Sequence, residues 1–203
     1  MPLVLGCTNS TPTINIGDAP QGTLSSGDCT SPLDGSFYDA YQFTGTAGQK
    51  IAITLSSSQF DGYLYLMVPG ETTLHGLSSA NPTIQDDDGA NNGDDSRIPA
   101  VAVTSTHPQG FAGFITLNTT GTYTILANSF RPGEIGNYTL SLTSGGTCDL
   151  GATTPLATGS PGTIGNLSSS DCTLLDGSSY DVLTFSGTAG QQVSLTMTAS
   201  FDT

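Results

Sequence analysis

Along the chain, apolar and polar residues alternate in short runs that turn residues separate. The runs are "FYDAYQFT" (37–44), "KIAITLS" (50–56), "GYLYLMV" (62–68), "IPAVAVT" (98–104), "GFITLN" (113–118), "TYTILAN" (122–128) and "NYTLSLT" (137–143). Each has a two-residue period built on β-branched or aromatic side chains, which puts alternate residues on one face of a strand and predicts a half-buried strand. "GTAG", "TTG" and "RPGEIG" supply the turns between them. Short antiparallel strands at this spacing predict an all-β antiparallel β-sandwich, jelly-roll-like. The expected inward residues are Tyr41, Phe43, Ile51, Ile53, Leu55, Leu64, Leu66, Val101, Val103, Phe114, Tyr123, Ile125, Tyr138 and Leu140. Pro99, which cannot donate to a ladder, is expected at a strand start or an edge.

The pattern then begins again. "DGSFYDAYQFTGTAGQKIAITLSSS" (34–58) aligns with "DGSSYDVLTFSGTAGQQVSLTMTAS" (176–200) at an offset of 142, with just over half the positions identical. This predicts one complete unit over residues 1–145 and the front part of a second over 146–203, with strands at "SYDVLTFS" (179–186) and "QVSLTMT" (192–198). A period this long is a tandem domain array, not a solenoid, whose repeats run about 20–50 residues. The same self-similarity pairs the cysteines. Cys7 corresponds to Cys148 and Cys29 to Cys172, so one disulfide per unit, Cys7–Cys29 and Cys148–Cys172, is the simplest connectivity among the three that four cysteines allow. Their spacing is unlike the close cysteine pairs of zinc sites. Disulfides imply an oxidising compartment, and the chain is expected to be extracellular or at the cell surface.

Composition narrows the function. Three basic residues face seventeen carboxylates, for a net charge of −14. Nucleic-acid binding needs clustered Lys and Arg to neutralise phosphates and is excluded on that ground. No run is long enough for a membrane-spanning helix. "MPLVLGC" superficially matches a lipoprotein cleavage site before Cys7, but its apolar run is far shorter than the roughly 7–15 residues of a signal-peptide core. Catalysis has little to stand on. His75 and His107 are the only histidines, there is no Trp, and no nucleophile elbow, zinc-protease helix motif or phosphate loop occurs. The expectation is a non-enzymatic protein.

The run from "YDAYQFTGTAGQKIAITLSSSQFDGYLYLMVPG" through an Asp-rich loop with "DSRI" to "TGTYTILANSFRPGEIGNYTLSLT" resembles the bacterial pre-peptidase C-terminal domain family over about residues 34–143. The resemblance implies a secreted antiparallel β-sandwich, often appended to peptidases or repeated in surface proteins, with calcium sites in some members. It also implies an acidic residue at Asp61, expected within reach of the same cation site as the Asp-rich loop. The 33 residues before it in this sequence are too few to hold a peptidase domain.

Residues 84–99, "IQDDDGANNGDDSRIP", carry the one concentrated chemistry. Asp86, Asp87, Asp88, Asn91, Asp94 and Asp95 offer oxygens on a Gly-flexible loop, and Ca²⁺ takes about 6–8 oxygen ligands. So many neighbouring carboxylates repel one another without a counter-ion. The competing reading is a solvated loop whose Asp and Gly serve turns. The EF-hand spacing is absent, because Ile84 stands where the first Asp should be. Sequons at Asn9, Asn118, Asn137 and Asn166 leave room for glycosylation.

Two functions compete. In the first, the truncated second unit, which leaves edge strands and an apolar face, is completed by strands of another copy, giving a self-assembling structural repeat that forms a filament or surface layer. A plain continuation of a longer array explains the same truncation. In the second, the chain is a calcium-binding accessory module of a secreted hydrolase that binds glycan or protein substrate, with Tyr63 or Tyr65 as a stacking surface.

Overall fold

A computed structural model describes residues 10–75, 84–101, 113–148, 156, 165–173 and 178–200. Two antiparallel five-stranded sheets form a sandwich. The first joins β1 (Gln21–Leu24), β10 (Gly136–Thr147), β4 (Gln49–Ser56) and β7 (Ser96–Ile98) in that order, with β8 (Ile115–Thr116) also on β4. The second runs β2 (Cys29–Thr30), β3 (Phe37–Gly45), β9 (Gly121–Ser129), β5 (Gly62–Met67) and β6 (Ile84–Asp86).

The two-residue period decides which side chains meet between the sheets. Ile51, Ile53 and Leu55 of β4 and Tyr138, Leu140 and Leu142 of β10 face Tyr41 and Phe43 of β3, Leu64 and Leu66 of β5 and Tyr123 and Ile125 of β9. Phe43 stacks on Tyr123 at 5.2 Å between ring centres. Fully burying side chains of this size stabilises by about 1.5–3 kcal/mol each. The opposite face of the second sheet is apolar as well, where Tyr38, Ala40, Tyr65, Met67 and Leu126 pack with Leu74 and Cys29. Strict inside/outside alternation fails there because that sheet is covered on both faces.

Three polar groups bridge the sheets. Tyr138 Oη donates to Asp39 Oδ2 at 2.6 Å and lies 2.7 Å from Tyr41 Oη. Tyr138 lies so close over Gly22 that a Cβ there would fall 2.2 Å from the ring. Burial, then its hydrogen bonds to Asp39 and Tyr41, push its hydroxyl well above the usual tyrosine range.

The seven predicted strands are present, with two corrections. Of the strand expected over 98–104, residues 102–104 lie outside the described residues; over 96–101 the paired residues are Ser96–Ile98, and Ile98 precedes a cis Pro99. Pro99 ends the strand where it was expected to begin it, because it has no N–H for β4. Val101 is half-buried and donates its N–H to Gly89 O at 2.6 Å. Val103 lies outside the described residues. Over 113–118 only Ile115–Thr116 pairs, Leu117 takes the buried position, and Phe114, expected inward, is half-buried against Gly145.

Beyond β10, β11 (Cys172–Thr173) pairs with β12 (Ser179–Tyr180), and Cys172 is disulfide-bonded to Cys148. The local bonding repeats that of the first unit. Cys172↔Tyr180 reproduces the Cys29↔Tyr38 pair. Leu156 N donates to Thr184 O as Ile14 N does to Gln42 O. Ser168 Oγ donates to Asp171 as Ser25 Oγ does to Asp28. Gly190 turns at φ +83° as Gly48 does. The strands expected over 179–186 and 192–198 are not formed beyond Ser179–Tyr180. In the first unit β3 and β4 each lie between hydrogen-bonded neighbours, and among the described residues nothing occupies the places of β9 and β10 beside 179–198. A strand without a ladder leaves its backbone groups to water.

Candidate cation site at the acidic loop

The loop after β6 folds back onto the start of β5. Asp86 Oδ1 accepts the backbone N–H groups of Gly89 and Arg97, both at 2.7 Å. This closes the loop around one carboxylate, and Gly89 is needed because a Cβ would fall 2.3 Å from Asp86 Oδ2. Gly62 N donates to Asp94 O at 3.1 Å and Phe130 N to Asp61 O at 2.8 Å, which fixes Asp61 between the loop and the end of β9.

Of the seven expected ligands, the fold converges three. Asp61, Asp87 and Asp88 each offer an oxygen within 4.8 Å of the others. Asp61 and Asp87 are half-buried and Asp88 is exposed. Asp86 is occupied in holding the loop. Asp95 accepts from Ser57 N at 3.2 Å and from Asn92 Nδ2 at 3.0 Å. Asn91 turns through the left-handed region at φ 58° and is exposed. Asp94 is exposed and lines, with Asp61, Gln59, Arg131 and Glu134, an open cleft of about 430 Å³ beside the cluster. Sequence reasoning did not single out Arg131 or Glu134. They come from the β9–β10 turn, 70 residues or more beyond Asp61 in sequence, and only the pairing of β5 with β9 brings that turn near it.

The electrostatics are those of an acidic pocket. Burial, then the charges of Asp88, Asp61, Asp86 and Asp94, push the Asp87 carboxyl up to about 6. Asp61 is raised by burial and by Asp88, Asp94 and Glu134, with Arg131 opposing. Arg97, next to the loop in sequence, forms no ion pair with it among the described residues, although the Asp86 charge offsets part of the lowering that burial imposes on its pKa. It is buried, and its guanidinium donates to the carbonyls of Pro99 and Gly113.

A divalent cation fits the donor set. Asp61 Oδ1 and Asp87 Oδ1 are buried from solvent with no hydrogen-bond partner, and an unsatisfied buried carboxylate oxygen is costly. The donors are all oxygens, the hard ligands that Ca²⁺ prefers.

The remaining expected sites fall as follows. Cys148–Cys172 is formed as expected, and Cys29 is disulfide-bonded while Cys7 lies outside the described residues. Asn118, Asn137 and Asn166 are exposed, Asn137 accepting from Thr23 Oγ1 at 2.7 Å, and Asn9 lies outside the described residues. Tyr65 is only 4% exposed and unsuited to stacking a ligand; Tyr63 is half-buried and stacks on Phe130. His75 faces Glu71 at 3.8 Å, and His107 lies outside the described residues. Among the described residues no helix is long and apolar enough to cross a membrane.

No family model matches the chain, and no curated protein matches it. Solved structures resemble its fold. The pre-peptidase C-terminal domain of collagenase from Bacillus anthracis is 15% identical, covering 66% of this chain and 96% of that one at a TM-score of 0.40. The periplasmic g-type lysozyme inhibitor PliG of Salmonella Typhimurium is 16% identical, covering 66% and 99% at a TM-score of 0.39. PliG of Aeromonas hydrophila is 16% identical, covering 68% and 99% at 0.34.

Proposed function

We propose that this chain is a non-enzymatic extracellular structural protein whose units join end to end, the exposed apolar segment 191–198 of one copy being paired by a strand of the next. One observation carries the reading. Ile51, Ile53 and Leu55 of β4 are each 0% exposed, whereas Val193, Leu195 and Met197, their counterparts at the repeat offset, are 49%, 71% and 65% exposed. Phe43 and Tyr41 are buried, while Phe185 and Leu183 are exposed. The repeated bonds and turn described above support a second unit that starts as the first does. Contiguous apolar surface of this kind marks an interaction site, and an unpaired strand accepts another by β-addition. A head-to-tail contact does not close, so it propagates as a filament or layer. Cys148–Cys172 supports an oxidising setting outside the cytosol.

The test is the assembly state of the 203-residue chain. Light scattering after size-exclusion chromatography and negative-stain microscopy should find concentration-dependent polymers, and Leu195→Asp should leave monomers. A monodisperse wild-type monomer at all concentrations overturns the reading.

A second reading is favoured by the orphaned oxygens of Asp61 and Asp87. There the chain is a calcium-dependent accessory module of a secreted hydrolase, with Asp61, Asp87 and Asp88 holding the ion and the adjoining cleft meeting glycan or protein substrate. Calcium supplies charge neutralisation, and the residues themselves fix the loop against β5. Calorimetric titration of chelator-treated protein decides. Heat and a raised melting temperature support the ion, and their absence removes it.

A further inference from the structure

Asn92–Gly93 is the only asparagine–glycine pair in the chain. Such a pair carries its own chemistry, because the backbone nitrogen after an asparagine can attack the side-chain amide carbon and close a succinimide ring. Glycine, with no Cβ, leaves that nitrogen least hindered. Whether a pair reacts depends on the fold. A backbone N–H held in a hydrogen bond is neither readily deprotonated nor free to turn toward the carbon.

Here the fold makes a selection. Aspartate–glycine pairs can close the same ring, and three of them are described. In each the glycine N–H is engaged: Gly35 donates to Ser31 O at 2.9 Å, Gly62 to Asp94 O at 3.1 Å and Gly89 to Asp86 Oδ1 at 2.7 Å. Asp176–Gly177 lies outside the described residues. The Gly93 N–H, by contrast, has no hydrogen-bond partner among the described residues. Asn92 and Gly93 are both exposed, and a Cβ on Gly93 would meet nothing within 4 Å beyond its chain neighbours, so the approach is uncrowded. The Asn92 side chain is held through its amide nitrogen, which donates to Asp95 Oδ2 at 3.0 Å. Asn128, in β9, is only 1% exposed, and Asn15 and Asn118 precede β-branched residues that crowd the attacking nitrogen.

We infer that Asn92 is a self-modification site, deamidating in water without an enzyme to aspartate and isoaspartate. Hydroxide removes the Gly93 amide proton and the nitrogen bonds to Asn92 Cγ. The Cγ–Nδ2 bond breaks, and Nδ2 takes a proton from water and leaves as ammonia. Water then opens the succinimide. Opening at Cγ gives aspartate, and opening at the backbone carbonyl gives isoaspartate, which adds a methylene to the main chain. No oxidant or reductant takes part. Either product replaces an amide donor with a carboxylate, so the bond to Asp95 is lost and like charges are brought together. Asp95 also accepts the Ser57 N–H at 3.2 Å, which ties the loop to the β4–β5 turn. Deamidation therefore loosens that tie and adds a negative charge beside the acidic cluster, a one-way change that accumulates with the age of the molecule. The chemistry needs neither a bound cation nor assembly.

The test is incubation of the full chain, native and in urea, in buffers from mildly acid to mildly alkaline, followed by tryptic mapping. Cleavage at Lys50 and Arg97 places Asn92 in peptide 51–97. In the native chain the mass gain of an amide turned acid should appear at Asn92 ahead of every other asparagine, rise in proportion to hydroxide and come with isoaspartate at that position. Asn92→Gln, whose longer side chain closes a larger ring more slowly, should lose it. Isoaspartate at Asp34, Asp61 and Asp88 should form in urea at the acid end, where their carboxyls are protonated, and not in the native chain. Asn92→Asp should speed hydrogen exchange of the Ser57 amide. An Asn92 that reacts in urea but stays intact in the native chain overturns the inference. So does another asparagine reacting first, or native aspartate–glycine pairs converting as they do in urea. Unchanged Ser57 exchange in Asn92→Asp overturns the loosened tie while leaving the modification site.

Discussion

Ile53 and Leu195 hold the same place in the two repeats and should respond oppositely to the same substitution. Ile53 is 0% exposed in β4, enclosed by both sheets. Truncation to Ala removes buried methyl and methylene groups and leaves a cavity, which costs about 2–5 kcal/mol. For a unit near 150 residues each kcal/mol lowers the melting temperature by about 2–4 °C, so Ile53→Ala should melt on the order of 10 °C lower. Leu195 is 71% exposed. Its truncation in the monomer removes little packed surface and should change stability by no more than about 0.5 kcal/mol. Thermal unfolding followed by circular dichroism, at a dilution where chromatography shows monomer, compares the two. At higher concentration the order changes, because Leu195→Ala should weaken polymers and Ile53→Ala should do so only through unfolding. If Leu195→Ala lowers the monomer's melting temperature as much as Ile53→Ala, residues 191–198 are packed in the single chain and the exposed-face reasoning is refuted.

Three further outcomes follow from the site and the sheet interface. Saturating Ca²⁺ at about a hundredfold over its Kd should stabilise the protein by about 2.7 kcal/mol, and Asp87→Asn with Asp61→Asn should remove that gain in a chelator-versus-calcium melting comparison. Without calcium, stability should fall as pH rises through about 6: the folded Asp87 carboxyl titrates there, above its ordinary 3.8, so the folded state binds the extra proton and its advantage is lost on ionisation; a flat chelated profile between pH 5 and 7.5, roughly bracketing that titration, would count against the buried, mutually repelling carboxylates. Tyr138→Phe should cost about 1–3 kcal/mol by removing the hydroxyl's contacts with Asp39 and Tyr41, read as a shift in the denaturation midpoint with unchanged slope.

What the sequence made legible was whatever has a local signature. The period of two located β3, β4, β5, β9 and β10 to within a residue or two at most ends, and it picked Ile51, Ile53, Leu64, Ile125 and Leu140 as interior because strand neighbours alternate faces. It overran at Pro99, where the apolar pattern continues after the ladder has lost a donor. The Cys148–Cys172 bond followed from the repeat itself. The acidic loop was legible as a concentration of carboxylates but not as a geometry. Which Asp closes the loop and which point together depends on Gly89 leaving room for Asp86 and on the β5–β9 pairing that places Asp61. Arg97 shows the same limit: it follows five aspartates in the sequence, yet burial sets its guanidinium against two carbonyls. The alternating apolar residues of 192–198 illustrate the converse, a strand pattern without a strand, since a ladder needs a neighbour that no local pattern supplies.

The bond between Cys148 and Cys172 has a mechanical consequence. Cys148 is anchored at the end of the first sandwich by its backbone bond to Gly48, and Cys172 starts β11. Tension pulled along the chain therefore crosses from one sulfur to the other and bypasses the residues between them. With a separation of 24 residues, reduction would release roughly 80 Å of slack at full extension. In an oxidised chain a covalent bond holds this joint short, whereas in a reduced one only non-covalent packing resists that lengthening.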